Sequence, residues 1–352
     1  MKITILALHL GYGGIEKFIS NIANMFAEEY DVEIISVYKL YEKPPFYIKP
    51  NIKITYLLEN LKPNKEELFS SLKGFKLINS IKQAFISLKI IFLKKNLMKR
   101  AIKNLTSDVV ISTIIPHNRL LAKYGKKNTI KIATEHNYNI NNKKYLNKVT
   151  KSCKAMNYLV IASKQLYEVY SNKMTDKYCQ VENISLGIDS IPDKISPLNK
   201  KSITYIGRLS EEKGVLDLID IFKLVNQKDK EIILNIIGDG VLKQKVTDKI
   251  NEYALNDCVI VHGYKDKKSI ENILLETSLG INVSYTESFG LAILETFSYG
   301  IPCISFSSAQ GVTEIIDNEK NGYIIKDRNK VEMADTIVEL INDSTKLKEF
   351  RK

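Results

Sequence analysis

Glu287 and Glu295 stand eight residues apart in the stretch "TESFGLAILETFSYGIP", with Gly290 between them and an apolar run behind. A carboxylate accepts hydrogen bonds, so its natural small-molecule partners are hydroxyls, such as those of a sugar. The run from Gly290 onward reads as a helix, and a helix N-terminus attracts anions through its unsatisfied amides and its dipole. Hydroxyl acceptors on both sides of an anion site suit a molecule with hydroxyls at each end and phosphates in the middle, which describes a sugar nucleotide. The plainer alternative has Glu287 capping the helix and Glu295 facing solvent. A second cluster, "YIGRLSEEKGV", delivers Arg208 and Lys213 from the end of a strand. Arg offers a bidentate fork and Lys a point charge, and together they suit a diphosphate. Here the alternative is a surface pair neutralised by Glu211 and Glu212.

Glycine-rich junctions accompany these residues. "GYGGIEKF" places Gly11, Gly13 and Gly14 after a first strand, where backbone can approach a ligand before a helix starts. The spacing is not GxGxxG, which disfavours a dinucleotide dehydrogenase. In "IIGDGVL", Asp239 reads as a helix cap rather than a metal ligand. No Asp-x-Asp pair occurs anywhere in the chain, so the usual metal-diphosphate clamp has no candidate and no metal is expected. The histidines are His9, His117, His136 and His262.

The elements that must position these groups alternate in type. "KITILAL", "DVEIISVY", "IKITYLL", "DVVISTI" and "IKIATEH" read as strands, with "IEKFISNIANMFAEEY" an amphipathic helix among them. Later, "SITYIGRL", "EIILNIIGDG", "VIVHGY" and "LGINVSY" alternate with the helices "GVLDLIDIFKLVNQ", "VLKQKVTDKINEYAL" and "SIENILLETS". This pattern predicts α/β architecture with doubly wound parallel sheets, whose ligands bind at the carboxyl ends of strands. A seam with two prolines, "VENISLGIDSIPDKISPLNKK", predicts two Rossmann-like domains, 1–183 and 184–352.

The chain's 352 residues suit two such domains. Cys153, Cys179, Cys258 and Cys303 are scattered without a CxxC pair, which points to a reduced, cytoplasmic setting rather than a disulfide framework or zinc knuckle. "MKITILALHLGYGG" reads as a buried strand and loop, not a leader, and no apolar window is long enough to span a bilayer. Net charge is unevenly distributed. Residues 1–180 hold 30 Lys and Arg against 13 Asp and Glu, a net +17, while the remainder holds 22 against 27, a net −5. A basic half wants a polyanion, although general lysine enrichment is an alternative. Residues 62–103 concentrate eleven Lys and Arg with two acidic residues, along with Phe69, Phe75, Phe85 and Phe92. On a helix this gives an apolar stripe with lysine flanks, which fits either an anionic membrane surface or an ordinary core-facing helix with a solvated basic face.

"TESFGLAILE", taken with "GRLSEEKG", "GDG", "GIP" and the leading "GGIE", resembles the retaining glycosyltransferases of family 4 (glycosyl transferases group 1) of the bacterial cell-surface polysaccharide type. The resemblance runs over nearly the whole chain. It implies the GT-B fold, two Rossmann-like domains facing across a cleft, with 1–183 binding the acceptor and 184–352 the nucleotide-sugar donor. By the same resemblance Gly14 brings backbone to the donor diphosphate, Arg208 and Lys213 hold it, and the amides of Phe289, Gly290 and Leu291 cap the phosphates. Glu295 then binds the ribose hydroxyls and Glu287 the transferred sugar. "ATEHN" matches the family's first-domain histidine region, which makes His136 the residue facing the sugar and the acceptor; the alternative is a structural histidine at a strand end. The implied activity is transfer of a hexose or N-acetylhexosamine from a UDP-sugar to a glycan or lipid-linked hydroxyl, without cofactor, at the inner face of the membrane. Two departures stand out: Leu186 precedes "GID" where the family often has asparagine, and the chain stops at Lys352, before the family's usual last crossover helix. A sugar-nucleotide 2-epimerase of the same fold is the main rival. A nucleic-acid-binding protein would account for the charge but not for the sugar-nucleotide elements.

Overall fold

The computed structural model describes residues 1–63, 77–174, 179–184, 187–188 and 191–351. Phe69, Phe75 and Leu186 lie outside the described residues. The chain divides into two compact units, Met1–Ala162 with Leu166–Ile184 and Ser163–Gln165 with Ser185–Lys352.

The first unit is built from β1 (Lys2–His9), α1 (Gly14–Phe26), β2 (Asp31–Tyr38), β3 (Lys53–Leu58), α2 (Leu77–Asn104), β4 (Val109–Ser112), α3 (Ile115–Tyr124), β5 (Ile130–Glu135), α4 (Lys143–Cys153), β6 (Tyr158–Ile161), α5 (Lys164–Lys173) and β7 (Gln180–Asn183). Its strands pair in parallel in the order β3-β2-β1-β4-β5-β6-β7. Parallel strands are covered on both faces, so side chains alternate between two cores. Along β1, Ile3, Ile5 and Ala7 join Ile19 and Ala23 of α1 in one cluster, while Leu6 joins Met98 and Ile102 of α2 and Leu121 of α3 in another. Each of these Ile, Leu and Met side chains contributes about 1.5–3 kcal/mol when fully buried.

α2 carries apolar residues on two sides. Ile90, Met98 and Ile102 are buried, whereas Ile81, Phe85, Leu88 and Phe92 are 61%, 75%, 64% and 67% exposed. The exposed four repeat at intervals of four, three and four, which keeps them on one face. The stripe expected from the sequence is therefore present in the described part of 62–103, and it faces away from the core.

The second unit comprises β8 (Ser202–Ile206), α6 (Val215–Lys228), β9 (Ile233–Ile237), α7 (Lys243–Glu252), β10 (Val259–Gly263), α8 (Lys267–Leu275), β11 (Leu279–Asn282), α9 (Leu291–Ser298), β12 (Cys303–Phe306), β13 (Gly322–Ile325), α10 (Lys330–Asn342) and α11 (Ser344–Glu349). Short 3-10 turns at Glu211–Lys213 and Gln310–Glu314 interrupt the loops. All strands are again parallel, in the order β10-β9-β8-β11-β12-β13. In each sheet the winding reverses beside the first strand, between β1 and β4 and between β8 and β11. Ligands of open α/β sheets sit at such reversals, beyond the carboxyl ends of the strands.

Candidate active site

The loops leaving β8 and β11 meet at the reversal of the second sheet. β8 ends at Ile206, and Arg208 follows two residues later; a 3-10 turn then carries Lys213 to Gly214, where α6 begins. Gly214 has φ +65°, and a Cβ there would collide with the carbonyl oxygen of Val283 in the loop after β11. Only glycine combines that backbone angle with so close an approach. The same two loops are joined by a hydrogen bond from Tyr285 N to Glu212 O at 2.9 Å.

This crossing brings Lys213 and Glu287 together, Nζ to Oε2, at 2.5 Å. Both are largely buried, and Ser284 Oγ donates to the same carboxylate oxygen at 3.3 Å. Gly311 N donates to the Glu287 carbonyl at 2.9 Å, which fixes the backbone as well. Arg208 lies on the open side, with a loose contact of 3.7 Å to Glu212. The surface pairing of Arg208 with Glu212 is thus real, but Lys213 belongs to Glu287 and not to the neighbouring acidic pair.

Neither half of the plainer reading of "TESFGLAILE" fits. The residue at the N-cap of α9 is Gly290, at φ +103°, and no side chain caps the helix. Phe289 is buried, Leu291 opens the helix, and Glu295 follows one turn along as a half-buried side chain. Arg208, Lys213, Glu287, Phe289, Gly290, Leu291 and Glu295 thus belong to one region of the second unit. Asp239 departs from its expected role. The residue at the N-cap of α7 is Leu242, whereas Asp239 accepts from Gly240 N at 2.7 Å and pairs with Lys243 Nζ at 3.0 Å. It braces a turn because the chain needs two more residues before the helix axis is set.

Sequence reasoning missed a charged network behind these loops. Arg328 donates through Nη1 to Ser284 O at 3.0 Å and Ser308 Oγ at 2.9 Å. Through Nη2 it donates to Val283 O at 2.9 Å and to Asp217 Oδ2 at 2.7 Å. Its guanidinium carbon lies 3.8 Å from the Tyr285 ring centroid, and Tyr285 OH donates to Asp217 at 2.7 Å. Lys330 bridges Asp217 at 2.5 Å and Asp220 at 2.8 Å. Burial on its own would raise the Asp217 carboxyl, but hydrogen bonds from Lys330, Tyr285 and Arg328 outweigh it and hold the group at about 2. The spacing of Asp217 and Asp220, three apart on one helical face, is the only part of this network that sequence could have flagged.

In the first unit, Gly14 opens α1, whose N-cap Gly13 provides no side-chain cap. Among the described residues, a Cβ at Gly14 would meet nothing within 4 Å. His9 Nδ1 lies 3.2 Å from Glu16 Oε1 in the first turn of α1. His136 follows β5, with Nε2 2.7 Å from Thr134 Oγ1 and its ring centroid 4.7 Å from that of Phe18 on α1. Burial pushes its imidazole down to about 4, so it is neutral at pH 7. Glu135 accepts from His136 N at 2.8 Å, Asn137 N at 2.7 Å and Tyr145 OH at 3.1 Å, which fixes the turn that presents His136. Buried His117 is also lowered to about 4 by desolvation, and its Nδ1 has no hydrogen-bond partner among the described residues. His262 Nε2 contacts Asn235 Oδ1 at 2.8 Å on β9.

Residues 188–352 match the family described as Glycosyl transferases group 1. A poly(ribitol-phosphate) alpha-N-acetylglucosaminyltransferase of Staphylococcus aureus (strain COL) is 30% identical over 151 residues, 43% of this chain and 30% of that protein. An uncharacterized glycosyltransferase of Haemophilus influenzae is 24% identical over 357 residues, covering 97% of this chain and 91% of that one. The chain spans only 23% to 38% of the length of the first four curated relatives it matches. The crystal structure of a mutant S. aureus TarM in complex with Fondaparinux, alpha-GlcNAc-glycerol and UDP superposes with a TM-score of 0.77 at 16% identity. It covers 100% of this chain and 95% of that one. That likeness is one of fold.

Proposed function

Because residues 188–352 form a glycosyl transferases group 1 domain in a chain of GT-B fold, we propose that the protein is a retaining hexosyltransferase. It moves a hexose or N-acetylhexosamine from a nucleotide-diphosphate sugar, a UDP-sugar in our reading, to a hydroxyl of a glycan or lipid-linked acceptor in cell-surface polysaccharide synthesis. The observation that carries this reading is the Lys213–Glu287 pair beside the uncapped N-terminus of α9, at the reversal of the second sheet. A cation, a carboxylate and free helix-start geometry in one place match a donor with phosphates next to a sugar.

The roles follow from this arrangement. Arg208, Lys213 and the amides at Phe289, Gly290 and Leu291 bind the diphosphate and stabilise the charge it gains on leaving, as preorganised electrostatics. Glu287 accepts from hydroxyls of the transferred sugar, and Glu295 from the ribose. Gly14 brings backbone to the diphosphate, and a Cβ there would meet nothing within 4 Å among the described residues. His136, neutral at pH 7, presents a hydrogen-bonding ring rather than a cation. In the step proposed, the bond from the anomeric carbon to the phosphate oxygen breaks, and the acceptor oxygen bonds to that carbon on the same face. The acceptor proton passes to the departing phosphate oxygen. Arg208 and Lys213 supply the positive charge that a metal would otherwise bring, so no resident cofactor is invoked.

Thermal-shift measurements with UDP, GDP and ADP and their sugar conjugates test the donor assignment, because a ligand that binds the folded state raises its midpoint. UDP or one UDP-sugar should shift the wild type and fail to shift Glu295→Ala. A product that remains nucleotide-linked, formed without any acceptor, would instead identify an epimerase.

The acceptor side of the proposal concerns α2. Residues 77–104 contain seven Lys and Arg and no Asp or Glu, and Lys82 and Lys89 are exposed near the Ile81–Phe85–Leu88–Phe92 stripe. Among the described residues no helix is long and apolar enough to cross a membrane. An apolar face flanked by cations fits the headgroup region of an anionic membrane, where each nearby Lys or Arg contributes about 1 kcal/mol. A second copy of the same helix would set like charges against each other.

A further inference from the structure

We propose that Arg328 is a positioning residue for the loop that carries Glu287. The inference rests on the reading of Glu287 above and extends it to a residue in a different loop, 41 positions further along the chain. One guanidinium ties together three of the segments that leave the carboxyl ends of the second sheet. It holds the loop after β11 through the carbonyls of Val283 and Ser284. It holds the loop after β12 through Ser308, whose Oγ also donates to Ser284 O at 3.1 Å. It reaches the start of α6 through Asp217, four residues beyond Lys213.

Two features indicate that the side chain, not the turn, matters at position 328. Asp327 and Arg328 both sit at φ +51°, a backbone region that L side chains rarely adopt and glycine adopts freely. A chain that needed only a turn here would favour glycine. Arg328 nevertheless directs donors to four separate acceptors and lies with its guanidinium against the face of Tyr285, within the same loop that it holds. The planar fork is what allows two backbone carbonyls and a carboxylate to be held at once, and a lysine cannot reproduce it. Strain retained around a fully engaged cation is the pattern expected where geometry serves a neighbouring reaction.

Arg328→Gly and Arg328→Lys test the inference. Glycine relieves the backbone angle and removes the fork; lysine keeps the charge. Hydrogen exchange over residues 283–288 is measured alongside kcat and donor KM for sugar transfer, each normalised to folded protein. Both variants should stay folded, exchange at least tenfold faster over 283–288, and lose at least tenfold in kcat with donor KM within threefold. Unchanged exchange in both variants overturns the inference, as does faster exchange with wild-type kcat. If the glycine variant fails to fold, the lysine variant decides by the same criteria. If the wild type transfers no sugar from any nucleotide donor, the functional reading fails by itself, and the exchange measurement alone decides whether Arg328 holds this loop.

Discussion

Lys213 and Glu287 are 74 residues apart in the chain and 2.5 Å apart in space. Their contact depends on Gly214, because any side chain at that position would strike the carbonyl of Val283 and force the two loops apart. The carboxylate therefore engages a cation that the proposed mechanism assigns to a diphosphate. Donor binding has to divide that cation between the two.

This competition gives an expectation with opposite signs for the two residues. Glu287→Gln releases Lys213, so the affinity for UDP should hold or rise, while kcat for transfer should fall by about 10²–10³, the range seen when one preorganised polar contact is removed from a transition state. Lys213→Ala should weaken UDP binding and lower kcat together. Calorimetric titration with UDP and steady-state kinetics on both variants measure this. Weakened UDP binding in Glu287→Gln would contradict the arrangement.

Much of this site was legible because each motif stands next to a strand end. β1, β8 and β9 have apolar runs that end close to a glycine, and the run of β11 leads to Gly290 at a helix start; the ends of β8 and β11 pointed to Arg208, Lys213 and Glu287. The strands that sequence reading passed over, β6, β7, β12 and β13, have four residues each and, unlike the equally short β4 and β11, did not stand out in the alternating strand–helix pattern. Arg328 was invisible for a different reason. Two of its acceptors are backbone carbonyls, which no residue type marks, and Asp217 lies 111 positions away. The stripe on α2 was visible as composition, but only the fold shows which of its apolar residues the core leaves outside.

Asp217 predicts the acid behaviour of the second unit. Its carboxyl is held at about 2 against an ordinary 3.8, so the folded state binds this proton less readily than the unfolded chain does. The stabilisation is complete above pH 4 and is lost as pH falls through about 2. Thermal midpoints measured from pH 5 down to pH 2 should fall more steeply for the wild type than for Asp217→Asn. Parallel curves would show that the network does not discriminate between the two ionisation states.

His136 and His117 act on the first unit with the opposite charge. Both imidazoles are pushed by burial to about 4, whereas in the unfolded chain they titrate near 6.5. Between those values the unfolded state binds more protons, so stability should decline as pH drops from 6.5 toward 4. Imidazole proton resonances of His136 should show no titration step above pH 5. A step near 6.5 would mean that the ring is solvated and that burial does not hold it neutral through the acid range.

Phe85 and Phe92 separate folding from membrane binding. At 75% and 67% exposed they contribute little to the core, so Phe85→Asp with Phe92→Asp should leave the thermal midpoint nearly unchanged, as surface substitutions generally do. The same pair places two negative charges in the centre of the apolar stripe, where they would have to enter the lipid headgroup layer. Wild-type protein should sediment with vesicles containing phosphatidylglycerol and bind less as salt rises, because the lysine contribution is screened within a Debye length. It should bind phosphatidylcholine vesicles weakly, and the double variant should bind neither. Equal binding to both lipids, or binding that survives in the variant, would assign the α2 face to some other partner.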